Sequence, residues 1–359
     1  MHWALAYFFV FDVSFGLALF LTPLLQRCAH AWGWLDLPDT ERKQQTQPMP
    51  LLGGVAVFGA FTLNILLNYL VVLPLVARWA PEDIAVHVPG AWSVWSKLLV
   101  LLAGGGAMVA LGAYDDKHEL KPRAKLLGQV VIAALVWLAG MRITLFVDNV
   151  AVSFLLTIFW IVVVTNALNF LDNMDGLCAG VGLVCALLFA FIAGVQDQYF
   201  VCLLALALAG ALLGFLPSNF QPAKIYLGDA GSHFIGFMLA VLPILTTFYT
   251  ETVTPTRWPV LIPLLVLAVP LFDMALVTWH RWQRGQDIAV GDTTHLSHRL
   301  VQLGLPQSWA VVLIYLIVLT LGLGAAALLW AERPVVILVF LQAAGILAIV
   351  TLLEHLGAK

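Results

Sequence analysis

Four groups of polar residues interrupt an otherwise apolar chain, and the chemistry open to the protein lies in them. The first is Asp115-Asp116, in the segment GAYDDKHELKPRAKLLGQ. Adjacent carboxylates repel unless a cation or a proton lies between them. Lys117, Lys121, Arg123 and Lys125 follow, and these are the groups a phosphate needs. The plainer alternative is a hydrated helix end followed by topology charges. The second group is Asn166, Asn169, Asp172 and Asp175, at every third position ahead of Gly176. On a continuing helix these share one face. Asn166 and Asn169 then lie in the membrane end of the helix, with Asp172 and Asp175 just past it. Such oxygen donors suit Mg²⁺, which takes one or two protein oxygens plus substrate phosphates. A polar helix cap and turn is the competing reading.

The third group, Gly228-Asp229-Ala230-Gly231-Ser232, opens another apolar run. Its glycines allow close backbone approach, and a helix N-terminus there offers N–H groups to an anion. Asp229 as a helix cap is the alternative. The fourth is Asp292-Thr-Thr-His295-Leu-Ser-His298-Arg299. Two histidines three apart need further ligands to hold a metal. With Arg299 adjacent, contact with phosphate fits better, against a solvated amphipathic helix as the alternative. Cys28, Cys178, Cys185 and Cys202 have no metal-ligand spacing and read as packing residues.

The elements that position these groups follow from composition. Of 359 residues, 62% are hydrophobic and only 10% charged, and the mean hydropathy is +0.97. A soluble domain is nearer half apolar and a quarter charged. A soluble enzyme, a nucleic-acid-binding module and a disulfide scaffold are therefore excluded, and no nucleic-acid partner is expected. The expectation is an all-α polytopic integral membrane protein forming a single domain over 1–359. About 11 transmembrane helices are placed near 3–26, 51–77, 97–113, 124–140, 151–169, 176–195, 199–217, 232–249, 258–279, 308–330 and 334–354. Twelve of the 17 Lys and Arg then fall on one side of the membrane. By the positive-inside rule the N-terminus is outside and the C-terminus cytoplasmic. The loops at 27–50, 114–124, 170–176, 218–231 and 280–307 become cytoplasmic and catalytic. Asp12 and Asp273 are the only acids placed in the interior of spans, Glu354 standing at the last position of its span. A transporter would gather its binding groups at the midplane, whereas here the carboxylates gather at one face.

In this order the motifs resemble the polyprenyl-phosphate N-acetylhexosamine-1-phosphate transferase family over nearly the whole chain. Leu35-Asp36-Leu-Pro38-Asp39, Arg42-Lys43 and Pro48-x-Pro50-x-x-Gly53-Gly54 look like its first cytoplasmic loop. Asp115-Asp116, the Asn/Asp array, Gly228-Asp229-x-Gly-Ser and the histidine pair follow. The resemblance implies transfer of a sugar-1-phosphate from a UDP-N-acetylhexosamine, GlcNAc before others, to undecaprenyl or another polyprenyl phosphate, releasing UMP. It implies Mg²⁺, with Mn²⁺ as a substitute, held by Asn169 and Asp229. Asp115, Asp116, Lys125 and Asp172 are the implied catalytic set. Asp115 would take the acceptor's last proton, and Asp172 is the nucleophile of an alternative two-step route. Asp175, Asn219 and Tyr226 are implied near the uridine, with Lys43, His298 and Arg299 as further substrate contacts. The implied location is the bacterial inner membrane with the site facing the cytoplasm, and a homodimer is left open. The pattern departs from the family at Gln44-Gln45, Leu51 and Ser297. The alternative within the family is the phospho-MurNAc-pentapeptide transferase branch. That branch carries three consecutive histidines, which this chain lacks.

Overall fold

A computed structural model describes residues 2–37, 48–144, 149–249, 256–285 and 295–357. Helix dominates because lipid cannot hydrogen-bond the backbone, so each N–H and C=O must pair within its own segment. The chain runs α1 (His2–Trp32), β1 (Leu35–Asp36), β2 (Met49–Pro50), α2 (Gly53–Leu67), a π-helical turn (Asn68–Val72) and α3 (Leu73–Trp79). Two short helices, α4 (Glu82–Ala85) and α5 (Val88–Ser93), lead into α6 (Trp95–His118) and α7 (Pro122–Leu138). Then come α8 (Val150–Leu171), α9 (Leu177–Val195), α10 (Tyr199–Asn219) and α11 (Gly228–Leu245). The chain ends with α12 (Ile262–Val266), α13 (Ala268–Gln283), α14 (Leu296–Gln302), α15 (Gln307–Ala326) and α16 (Arg333–Gly357).

The fold is that of a multi-pass membrane protein, as the composition predicts. Among the described residues nine helices are long and apolar enough to cross a membrane, or ten if the pair Trp258–Val266 and Ala268–Gln283, bent by 65°, counts as one span. The expected span at 124–140 is α7, whose 17 residues reach only about 26 Å, short of a hydrocarbon core of about 30 Å. The chain is also not wholly helical: Leu35 pairs with Pro50 and Asp36 with Met49 in a small antiparallel ladder. That ladder folds the first loop back onto α2.

Helix α11 is the axis of the bundle, packed by α2, α6, α8, α9 and α10. Small residues let its neighbours touch its backbone. A methyl group at Gly54 would overlap the Gly231 backbone, and one at Gly112 would overlap Asp229 and Ala230. The outer helices leave Phe8, Phe20, Leu338 and Leu341 exposed, as lipid-facing surfaces should be.

Candidate active site

The site forms where the ends of α6 and α8 meet the starts of α7 and α11. Helix α6 ends at Glu119, in a left-handed conformation (φ 47°), and α7 restarts with Pro122 in its first turn. The Leu120 N–H donates to Asp115 Oδ1 across this turn at 2.6 Å. The tight turn therefore brings Lys125 back beside Asp115, Nζ to Oδ2 at 2.9 Å. The same ammonium reaches Asp229 Oδ2 at 2.6 Å and donates to Asn169 Oδ1 at 3.1 Å. Asn169 Nδ2 donates to Asp229 Oδ1 at 2.6 Å and to Ser232 Oγ at 2.9 Å. Three oxygens from three helices thus converge on one positive charge. Asp229 keeps 28% of its side chain exposed, so the cluster is open to a ligand.

Asp116 faces the other way. Its two carboxylate oxygens accept from the N–H groups of Asp229 at 2.8 Å and Ala230 at 3.2 Å. It therefore caps α11, accepting from the N–H groups at the helix start. Gly228 fits under it for two reasons: its φ is +70°, and a methyl group there would meet Asp116 Oδ2 at 2.7 Å. Two sequence expectations are corrected at this point. The α11 N-terminus is not left open to a substrate anion, because Asp116 fills it, and the capping side chain is Asp116, not Asp229.

The Asn/Asp array does not stay on one helical face. Helix α8 ends at Leu171 and Asp172 is its C-cap. Asn166 points deeper and donates to Gln129 Oε1 of α7 at 2.6 Å. Asp175 lies in the following turn and accepts from Ala223 N at 3.0 Å. Asn219 is buried: its Oδ1 accepts from Gly176 N at 3.2 Å and its Nδ2 donates to Ile225 O at 3.0 Å. Asp175 and Asn219 thus stitch the 172–176 turn to the loop that carries Tyr226. Tyr226 is half-buried, its backbone paired with Pro50 and Gly53. Burial, then Asp175, Asp36 and Asp172, push its phenol up to about 12, so the ring stays neutral. Asp172 retains some residue exposure, but its carboxyl sits deep among other acids. Burial first, then Asp229, Asp116 and Asp175, raise it well above the usual carboxylate range. Its place at a helix C-terminus acts in the same direction.

The histidine motif is divided. His295 is buried and pairs through Nδ1 with Asp273 Oδ2 at 2.8 Å, while Leu296 N donates to Asp273 Oδ1 at 2.9 Å. This pairing anchors the start of α14 to α13. Ser297, which replaces the family's middle histidine, donates to Asn173 Oδ1 at 2.6 Å. These two contacts dock α14 against α13 and the turn after α8. His298 is half-buried and Arg299 buried in the first turn of α14. Lys43, Gln44, Gln45 and Asp292 lie outside the described residues.

Sequence reasoning missed Gln129 and Tyr315, and it gave Ser232, inside a motif it had singled out, no role of its own. A Lys125-x-x-x-Gln129 pair in an apolar helix was a readable signal for the first. Tyr315 OH donates to Gly176 O at 2.5 Å, and nothing in its Leu/Ile/Val-rich surroundings announced it. Among the described residues, no three His, Cys, Asp or Glu side chains form a ready metal cage. The oxygens gripping Lys125 still fit a divalent cation that completes its shell with phosphates and water.

A family model described as glycosyl transferase family 4 matches residues 98–247. The chain is 30% identical over 350 residues to a probable undecaprenyl-phosphate N-acetylglucosaminyl 1-phosphate transferase of Bacillus subtilis, covering 92% of this chain and 89% of that one. The chain belongs to glycosyl transferase family 4. It is 33% identical over 342 residues to the decaprenyl-phosphate N-acetylglucosaminephosphotransferase of Mycolicibacterium smegmatis, covering 88% of this chain and 80% of that one. A phospho-N-acetylmuramoyl-pentapeptide-transferase of Lactiplantibacillus plantarum is 37% identical over 171 residues, only 43% of this chain and 52% of that one. As a member of family 4 the protein is an enzyme, a phosphoglycosyl transferase. Asp115, Asp116, Lys125, Asn169, Asp172, Asp175, Asn219, Tyr226 and Asp229 all fall inside the segment the family 4 model matches.

Proposed function

We propose that the enzyme transfers N-acetylhexosamine-1-phosphate, GlcNAc-1-phosphate first among the candidates, from a UDP-sugar to undecaprenyl or another polyprenyl phosphate. The observation that carries this reading is the convergence of Asp115, Asn169 and Asp229 oxygens on the Lys125 ammonium. A cluster built to hold positive charge at the membrane edge suits a reaction between two anionic phosphates. An acceptor-phosphate oxygen attacks the β-phosphorus of the donor. The bond to the bridging oxygen breaks, UMP leaves, and polyprenyl-diphosphate-sugar forms. Asp115 takes the acceptor's last proton, and Lys125, released from the carboxylates, pairs with phosphate. Asn169 and Asp229 would hold Mg²⁺, or Mn²⁺ in its place, which when bound neutralises the diphosphate. Tyr226 offers its neutral ring to uracil, with Asp175 and Asn219 fixing the loop that carries it. The raised pKa of Asp172 disfavours it as a nucleophile and supports direct attack over the two-step route.

The eleven-span topology, with the N-terminus outside and the site facing the cytoplasm of a bacterial inner membrane, belongs to the same reading. It rests on the charge asymmetry of the loops and needs the short helix α7 to span. The pentapeptide donor is the second reading; its relative matches less than half of the chain. The test supplies detergent-solubilised enzyme with undecaprenyl phosphate, Mg²⁺ and one UDP-sugar at a time. UMP release with UDP-GlcNAc or a close UDP-N-acetylhexosamine is expected. Turnover with the UDP-MurNAc-pentapeptide alone would reject the donor assignment.

A further inference from the structure

His233 stands one helical turn beyond Asp229 on α11, and nothing in the reaction above uses it. It has no solvent exposure, and neither of its ring nitrogens has a hydrogen-bond partner. Leaving a buried polar group unpaired costs about 1–3 kcal/mol, so a buried imidazole with both nitrogens unpaired points to a ligand.

Its direction follows from its neighbours. Asp229, Ser232, His233 and Gly236 stand at i, i+3, i+4 and i+7, one stripe of the helix. Asp229 and Ser232 meet Asn169 of α8, and Gly236 lies against Thr165 of the same helix. Ala230 and Phe237 instead meet Gly112 and Gly104 of α6. His233 falls between these two sets, in the sector where α7 packs against both α6 and α8. The charged groups near enough to act on it are Lys125 and Asp115. Helical side chains lean toward the helix N-terminus, which on α11 is the site. The imidazole therefore leans toward the end of α11 that carries Asp229.

We infer that His233 is a nitrogen donor to the divalent cation that takes the Lys125 ammonium's place at Asp229 and Asn169, meeting it directly or through one water of its shell. Side chains at i and i+4 on one helix face can meet a single metal ion. The inference rests on reading the oxygen cluster as a cation site. A nitrogen in an otherwise oxygen donor set shifts preference away from Mg²⁺ toward Mn²⁺ and Co²⁺.

The experiment titrates Mn²⁺ into the full-length, detergent-solubilised protein and records the electron spin echo modulation of the bound ion. Protein with ¹⁵N-labelled histidine serves as the isotopic control. The wild type is expected to show a histidine-nitrogen coupling. His233→Leu is expected to bind Mn²⁺ roughly tenfold more weakly or worse, with the coupling gone. His233→Asn gives the same reading if the leucine variant does not fold. Wild-type binding without a histidine coupling, or a coupling unchanged in the variants, would overturn the inference and leave the cation site standing. No Mn²⁺ binding by the wild type would overturn both.

Discussion

Lys125 holds the acidic cluster together from inside. Its ammonium lies 2.6 Å from Asp229 and 2.9 Å from Asp115, two carboxylates that would otherwise repel. Removing one partner of a mostly buried ion pair costs about 3–5 kcal/mol. Lys125→Met should therefore melt well below the wild type in EDTA and recover much of the difference when Mg²⁺ is added, with turnover lost in both conditions. A melting point that does not respond to Mg²⁺ would count against the cation reading of this cluster. At Tyr226 the expected change is in binding. Stacking of a base on an aromatic ring is worth about 1–3 kcal/mol, so Tyr226→Ala should raise KM for the UDP-sugar roughly 5- to 150-fold. KM for the lipid phosphate should hardly move, and steady-state kinetics with each substrate varied in turn checks this. Asp172→Asn should leave no less phosphoenzyme than the wild type, because direct attack forms none. A ³²P-labelled aspartyl intermediate in the wild type that is absent from the variant would reverse that conclusion.

At the scale of elements, α11 carries the site because two other helices, α2 and α6, are fitted to its first turn. Gly54 of α2 and Gly112 of α6 have no side chain where they meet its backbone, and Asp116 closes its N-terminus. Overpacking such a contact costs about 1–3 kcal/mol. Gly112→Val should thus lower the thermal midpoint in detergent and displace Asp229, with loss of turnover. Loss of a helix cap costs about 0.5–2 kcal/mol. Asp116→Ala should accordingly lower stability, whereas Asp115→Ala, which releases Lys125 from one carboxylate, should mainly lower kcat. Melting curves and kinetics on the two variants side by side distinguish a capping carboxylate from a reacting one.

Across the whole molecule the polar clusters lie at one end of an apolar bundle, with aromatic contacts such as Trp3 stacked on Tyr199 at the other. In a background free of native cysteines, Lys121→Cys and Lys224→Cys should resist an impermeant thiol reagent in intact cells, while Asp197→Cys should react. The opposite pattern would place the site outside the cytoplasm and exclude a UDP-sugar from its usual pool.

The amino-acid sequence alone determined the membrane class, because a chain this apolar has no soluble way to bury itself. It also singled out the separate motifs that hold Asp115, Lys125, Asn169 and Asp229, because charged and amide groups stand out in an apolar background and are costly there without a purpose; that they belong to one site was implied only by the family resemblance. Only the tertiary structure decided what each carboxylate does. Asp115 and Asp116 are neighbours in the chain, yet one grips Lys125 while the other caps α11, because successive helical positions point about 100° apart and meet different partners. Asn166 and Asn169 share a face but lie at different depths, one bonded to Gln129 and the other to Asp229. The pairing of His295 with Asp273 joins residues from separate helices, and no local spacing encodes such a contact. The break between α12 and α13 and the small β ladder escaped the hydropathy reading for a related reason. Hydropathy reports how apolar a segment is, while packing against neighbours decides where it bends and ends.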